Sequence, residues 1–325
     1  MLGMRDACGR TIRYLRLSLT SACRMRCVYC RPAAVQCGPK AAVLQAAEIE
    51  ALVRHLVERH GLAKVRLTGG EPTQRRDLPE IIRRLAGIAG LAELTMTTNG
   101  EALAAGARAL ADAGLSRVNV SLDSLRPEGF RGITGADTLD RVLQGLEMAI
   151  AAGLTPVKLN TVVLRGSNEE ELPELLRFAA AKGVEIRFIE LMPMGPQAAS
   201  WPDRFVPERE MRYRLRGVIA SWRAMPSGPE ASRRYRAVLR DGREVVVGFI
   251  SPMSRPFCRR CDRIRIAADG ALYPCLMGQP ADSLLPAVRP VFDPERFDSL
   301  LRDGLGAKGP EHPTGGVAVM THVGG

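Results

Sequence analysis

The chain has 325 residues, 46% hydrophobic and 25% charged, with 32 Gly and 22 Pro. This ordinary globular composition excludes a disordered or collagen-like chain, and no apolar run approaches the roughly 20 residues that span a bilayer. The formal net charge of +11 asks for an anionic partner, but 41 of the 46 basic residues are Arg. Coding bias produces such a skew as readily as a binding face does, and a small phosphorylated substrate answers the charge as well as a nucleic acid. Residues 1–10 carry charges and no apolar stretch, so no secretory signal is expected and the cytoplasm is the expected location.

In chain order, strands are expected at 12–18, 64–68, 93–98, 117–121, 157–163 and 185–190, separated by helices. The helix before Gly61 carries Ile49, Leu52, Val53, Leu56 and Val57 on one face. Gly61, Gly114, Gly153 and Gly183 each stand where a helix ends and a β-rich run begins. Strands alternating with helices mean parallel βαβ units. The expected fold is α/β, an incomplete (β/α)6 TIM-like barrel over 1–192, followed by a smaller C-terminal α+β domain over 193–325. In the second part, Met211 to Trp222 reads as a helix. Segments 234–239 and 244–250 read as a hairpin around Asp241-Gly242, and 302–325 as a mobile tail.

Polar residues gather where strands end, which is where such sheets place their sites. Thr68-Gly69-Gly70-Glu71-Pro72, Thr97-Thr98-Asn99-Gly100 and Ser121-Leu122-Asp123-Ser124 follow strands two, three and four. The glycine pair allows close backbone approach to a ligand. Strand five carries Lys158 and strand six Arg187. Neither face of a helix-covered strand welcomes a charge, so both are expected to point at something anionic.

The eight cysteines are clustered. Cys23, Cys27 and Cys30 have the spacing C-x3-C-x2-C, and Cys258, Cys261 and Cys275 the spacing C-x2-C-x13-C. Each trio offers three thiolates. A structural zinc site wants four ligands, whereas a [4Fe–4S] cluster can be held by three with one iron left open. For the second trio alone, zinc with His312 or His322 as fourth ligand fits as well as iron–sulfur. Cys8 and Cys37 read as ordinary thiols, His55 as a surface residue, and His60 as a dipole-compatible residue in the last helical turn.

The segment Cys23-Arg24-Met25-Arg26-Cys27-Val28-Tyr29-Cys30 resembles the cluster loop of radical S-adenosylmethionine (SAM) enzymes. Nearly the whole chain is similar to the GTP 3′,8-cyclase family of molybdenum cofactor biosynthesis. The likeness includes Leu15-Arg16-Leu17-Ser18, Arg66 to Pro72, Asn119 to Ser124 and Ile186 to Pro193. It continues through Pro252-Met253-Ser254, Cys258 to Arg265 and a Gly-Gly end. The resemblance implies two [4Fe–4S] clusters, one on Cys23, Cys27 and Cys30 and one on Cys258, Cys261 and Cys275. It implies SAM contacts at Tyr29, Gly70, Ser121 and Met192, and GTP contacts at Arg16, Arg66, Thr97, Lys158, Arg263 and Arg265. Arg187 and Lys158 are the expected catalytic groups. It further implies a reductant such as flavodoxin or ferredoxin, a downstream pterin synthase, no nucleic-acid or membrane partner, and room for a homodimer. Arg31 and Asp262 stand where the family usually has Met and Asn. The alternatives are another radical SAM enzyme with an auxiliary cluster, such as a peptide maturase, and a basic zinc protein using the Arg- and aromatic-rich stretch 201–243 on nucleic acid.

Overall fold

A computed structural model describes residues 3–30, 43–194, 198–226, 228–313 and 320. Arg31, Cys37, His322 and the Gly-Gly end lie outside the described residues. Six βα units come first: β1 (Tyr14–Ser18), α1 (Ala46–His60), β2 (Lys64–Thr68), α2 (Leu78–Ala86), β3 (Glu93–Thr98), α3 (Leu103–Asp112), β4 (Arg117–Ser121), α4 (Pro127–Thr134), α5 (Leu139–Ala151), β5 (Lys158–Val163), α6 (Leu172–Lys182) and β6 (Glu185–Glu190). Each expected strand is present within two residues of its expected start. Gly61 ends α1 at φ 71°, its N–H closing on the carbonyls of Leu56 and Val57, a turn that favours glycine.

The remaining elements are α7 (Trp201–Arg204), α8 (Glu208–Arg214), β7 (Ile219–Ala224), β8 (Ser232–Leu239), β9 (Glu244–Ile250), β10 (Arg263–Ile266), β11 (Leu272–Tyr273), α9 (Leu285–Val288) and α10 (Pro294–Gly306). They extend the same sheet, in the order β11-β10-β1-β2-β3-β4-β5-β6-β9-β8-β7. β9 runs parallel to β6 and β10 parallel to β1, so eight parallel strands form an open, unclosed barrel wall. The hairpin expected around Asp241-Gly242 is β8–β9, with Gly242 at φ 85°. It joins the barrel because Val245, Val247 and Phe249 continue the apolar layer, Phe249 lying 6.1 Å from Phe188.

Two expectations are corrected. The helix placed at Met211 to Trp222 is α8, which ends at Arg214, turns through Leu215–Gly217 and gives way to β7. Met211 and Leu215 anchor the helix in the core, while Trp222 is drawn into the sheet opposite Ala237 and packs on Tyr235 and Phe249. The stretch from residue 302 does not begin as a tail. α10 runs to Gly306, and Lys308 beyond it is buried. Among the described residues no helix is long and apolar enough to cross a membrane.

Candidate active site

Along the parallel strands side chains alternate strictly. Leu15, Leu17, Val65, Leu67, Met96, Val118, Val120, Leu159, Ile186, Ile264 and Ile266 point outward into the helix-covered core. The residues between them, including Tyr14, Arg16, Lys64, Arg66, Thr97, Arg117, Asn119, Asn160, Arg187, Arg263 and Arg265, line one cavity of about 590 Å³. The inner face is a polar cleft rather than a packed core. That is why charges sit on strands whose periodicity reads as buried on both sides.

The first trio sits at the C-terminal mouth of this cleft. Its loop is pinned at Arg26 and Val28, whose N–H groups donate to the carbonyls of Thr134 and Ile133. Gly69 and Gly70 press on it from β2: a Cβ at either would fall 2.4 Å from a loop carbonyl, that of Thr20 or Ala22. The glycine pair thus lets the protein's own cysteine loop approach, while Gly70 also lines the cavity. Glu71 accepts from the N–H groups of Thr73 and Asn99 and from the hydroxyls of Thr73 and Thr98, joining the ends of β2 and β3. The Tyr29 hydroxyl donates to Asp123 at 2.6 Å, and the Val162 N–H donates to the other carboxylate oxygen. Burial raises the Asp123 carboxyl to about 6 against these hydrogen bonds, and burial with the Asp123 charge pushes the Tyr29 phenol well up.

The second trio faces the same cavity from the other part of the chain. Glu190, at the end of β6, accepts from the N–H groups of Met253, Ser254 and Glu208 and from the Ser254 hydroxyl. It thereby fixes residues 252–254, which lead into Cys258. Arg10 donates to the carbonyls of Cys258 and Gly309, both at 2.7 Å. Lys308 donates to the Pro274 carbonyl at 2.5 Å and lies 3.6 Å from the Cys261 sulfur. His312 bonds the Pro252 carbonyl.

Within each trio the thiols are close enough to shift one another's ionisation. Yet among the described residues neither trio has all its sulfurs within 4.8 Å. Each trio brings three thiols to the same cavity, the number with which a [4Fe–4S] cluster is held while one iron stays open.

Between the trios lies a basic wall. Arg265, Arg16 and Arg66 are register partners on β10, β1 and β2, three arginines whose backbones stand side by side at the strand spacing. Arg66 also donates to Tyr14 and Thr97. Burial would raise the Tyr14 phenol, but Arg66, Arg16 and Lys64 outweigh it and bring it to about 7. Burial lowers Arg16 to about 10, and burial, Arg16 and Arg263 push Arg265 well below the ordinary guanidinium range. Arg263 stacks over Phe257 at 4.8 Å. Ten basic side chains face six acidic ones around the cavity. Arg10, Lys64, Arg117, Arg187, Arg234 and Arg263 are ion-paired with carboxylates of the protein, so the charge that favours an anion is concentrated in the Arg265–Arg16–Arg66 row.

The structure brings Arg16, Cys23, Cys27, Tyr29, Cys30, Arg66, Gly70, Thr97, Ser121, Arg187, Met192, Cys258, Cys261, Arg263, Arg265 and Cys275 to this one cavity. Lys158 does not line it. It is 4% exposed, and its ammonium lies 3.3 Å from Glu185, which also accepts from Arg187 Nε at 2.6 Å. The anion that Lys158 meets is Glu185, on the same inner face one step down the strands from the cavity-lining Asn160 and Arg187. Burial, with Arg187 nearby, lowers it to about 8. Removing the shared carboxylate by Glu185→Ala strands two buried cations and should cost about 3–5 kcal/mol. Lys158→Met should cost clearly less, since Arg187 still answers Glu185. Apparent Tm values of the two variants check this order, and equal losses would contradict a shared anchor.

The sequence reading set Asn160 on one face with Lys158 without assigning it a role, and it missed Tyr14, Lys64, Arg117 and Asn119. Their signal was available: Tyr14, Lys64 and Asn119 each lie two residues from an expected site residue on the same strand, and Arg117 lies four from Ser121 on the same face. Arg10, Glu230 and Lys308 reach the cavity through tertiary folding and carry no local signal, whereas Asp123 stands among the polar residues expected at the end of β4.

A three-cysteine loop at the strand-end mouth of an open parallel barrel defines the radical SAM class of enzymes. The Radical SAM superfamily profile matches residues 17–179, and the Molybdenum Cofactor Synthesis C profile matches residues 184–314. A GTP 3′,8-cyclase of Alkaliphilus metalliredigens is 38% identical over 311 residues, 95% of this chain and 94% of that protein. One of Moorella thermoacetica is 44% identical over 278 residues, 84% of each. The chain therefore belongs to the GTP 3′,8-cyclase family of the radical SAM superfamily. Among solved structures, Streptococcus suis SuiB bound to precursor peptide SuiA matches with a TM-score of 0.62 at 16% identity, covering 93% of this chain and 75% of that chain. That likeness is one of fold.

Proposed function

We propose that this cavity binds SAM at the first trio and GTP between the two trios, and closes GTP to 3′,8-cyclo-7,8-dihydro-GTP at the start of molybdenum cofactor biosynthesis. The observation that carries the reading is the convergence of both cysteine trios and the Arg265–Arg16–Arg66 row on one cavity. Cys23, Cys27 and Cys30 would hold one [4Fe–4S] cluster, and Cys258, Cys261 and Cys275 a second. With SAM, the first cluster supplies a carbon-radical reagent able to take a hydrogen atom from ribose C3′.

The chain's own residues do the rest. Tyr29, Gly70, Ser121 and Met192 surround the SAM position, with Tyr29 fixed by Asp123. Arg16, Arg66, Arg263 and Arg265 meet the triphosphate through forked guanidinium groups, and Thr97 orients Arg66. Arg187, its Nε held by Glu185, lines the cavity near the reacting nucleoside. Lys158 positions Arg187 through Glu185. The hydrogen taken from C3′ leaves in 5′-deoxyadenosine, C8 keeps its own hydrogen, and one electron from the reductant with one proton completes N7–H, so the product is an isomer of GTP. Positioning C3′ against C8 is then the main task of the walls, together with keeping water and oxygen away.

A low-potential donor such as flavodoxin or ferredoxin, a pterin synthase that takes the product, the cytoplasm as location and a homodimer belong to the same reading. Thiols arranged for iron support a reducing compartment. Reconstituted protein should hold close to eight iron and eight sulfide per chain. A value near four, with bound zinc, would contradict the second cluster.

A further inference from the structure

Away from the cavity, His55 and His60 of α1 both turn Nε2 onto one carboxylate oxygen of Asp298 in α10, at 2.7 and 2.6 Å. The expected surface position of His55 is thus corrected: its side chain is 12% exposed, beside His60 at 11% and Asp298 at 18%. Phe292 and Phe297 pack on the His55 ring at 5.3 and 5.4 Å. Among the described residues this is the only group of three or more His, Cys, Asp or Glu whose ligand atoms all lie within 4.8 Å. Either hydrogen bond alone would tie α10 to α1. The second imidazole closes two nitrogens and an oxygen around one point.

We propose that His55, His60 and Asp298 bind one divalent ion of the zinc type, which fastens α10 to α1. Two imidazoles with one carboxylate suit a borderline transition ion, whereas magnesium and calcium want oxygen throughout. The residual exposure leaves the fourth position to water. Each ring coordinates through Nε2 as the neutral tautomer protonated at Nδ1, and a proton held by a charged ring is released to solvent. The opposing charge is Arg59, whose Nε lies 3.8 Å from the other Asp298 oxygen, but its side chain is 58% exposed and free to swing away. α10 leads directly to Lys308, which touches the Pro274 carbonyl and the Cys261 sulfur. An ion here would therefore steady one side of the second trio without entering the catalytic cavity.

The test uses anaerobically reconstituted, cluster-loaded protein equilibrated with zinc against a weak chelator, with zinc and iron measured on the same sample. The parent should retain one zinc per chain more than Asp298→Asn or His55→Gln, with equal iron in all three. The parent's apparent Tm should rise by about 4 °C at a hundredfold excess over Kd, and neither variant should show the rise. His60→Gln replaces Asp298→Asn if that protein does not fold. Equal zinc in parent and variants, no retained zinc, or the same rise with magnesium would overturn the site.

Discussion

Cys27→Ser protein, reconstituted without oxygen, should produce no 5′-deoxyadenosine from SAM, while Cys275→Ser should still produce it slowly and yet fail to cyclise GTP. The two trios have separate supports. The first hangs from β2 through Gly69 and Gly70 and from the end of α4 through Thr134 and Ile133. The second is held by Glu190, Arg10 and Lys308. They meet only across the cavity, so losing a thiolate from one leaves the other's anchors in place. Without the first cluster no electron reaches the bound sulfonium. Without the second, the nucleotide loses its fixed end, and a displacement of about 1 Å is enough to cost a hundredfold in rate. Circular dichroism and an iron content near half the parent's establish that each variant is folded with its other cluster. A folded Cys275→Ser protein that cyclised GTP at the parent rate would make the second trio structural only.

Arg265→Ala should weaken GTP binding by about ten- to a hundredfold, the loss of one charged hydrogen bond to phosphate. Arg265 is buried beside Arg16 in register, so the folded chain holds like charges together in a site of low dielectric. An anion between them relieves that repulsion, and binding should tighten as salt falls. Removing one guanidinium also lessens the repulsion in the ligand-free protein, so the loss of GTP binding should exceed any loss of stability. Isothermal titration with GTP and a thermal melt measure the two sides. Unchanged affinity with intact clusters would remove Arg265 from the triphosphate site.

The six βα units were legible because their helices carry clean apolar stripes and end at glycines suited to positive φ. Both trios were legible from spacing alone. The second half was harder to place, since nothing local marks β9 and β10 as the outer strands of the barrel. Their partners, β6 and β1, lie far away in sequence. Trp222 misled for a related reason: α8 stops at Arg214, and the aromatic is claimed by the sheet. The polar lining was legible in part, since charges such as Arg187 on helix-covered strands were expected to face something anionic, and the inner face does border a cavity. Lys158 was read correctly as facing an anion, but that anion is Glu185, two residues from Arg187 and itself part of the protein.

Product analysis with GTP deuterated at ribose C3′ tests the central claim most directly. Reconstituted protein, SAM and a reductant should yield a cyclised isomer of GTP, with the deuterium recovered in 5′-deoxyadenosine. SAM cleavage that leaves GTP unchanged and the deuterium on the ribose would contradict the account.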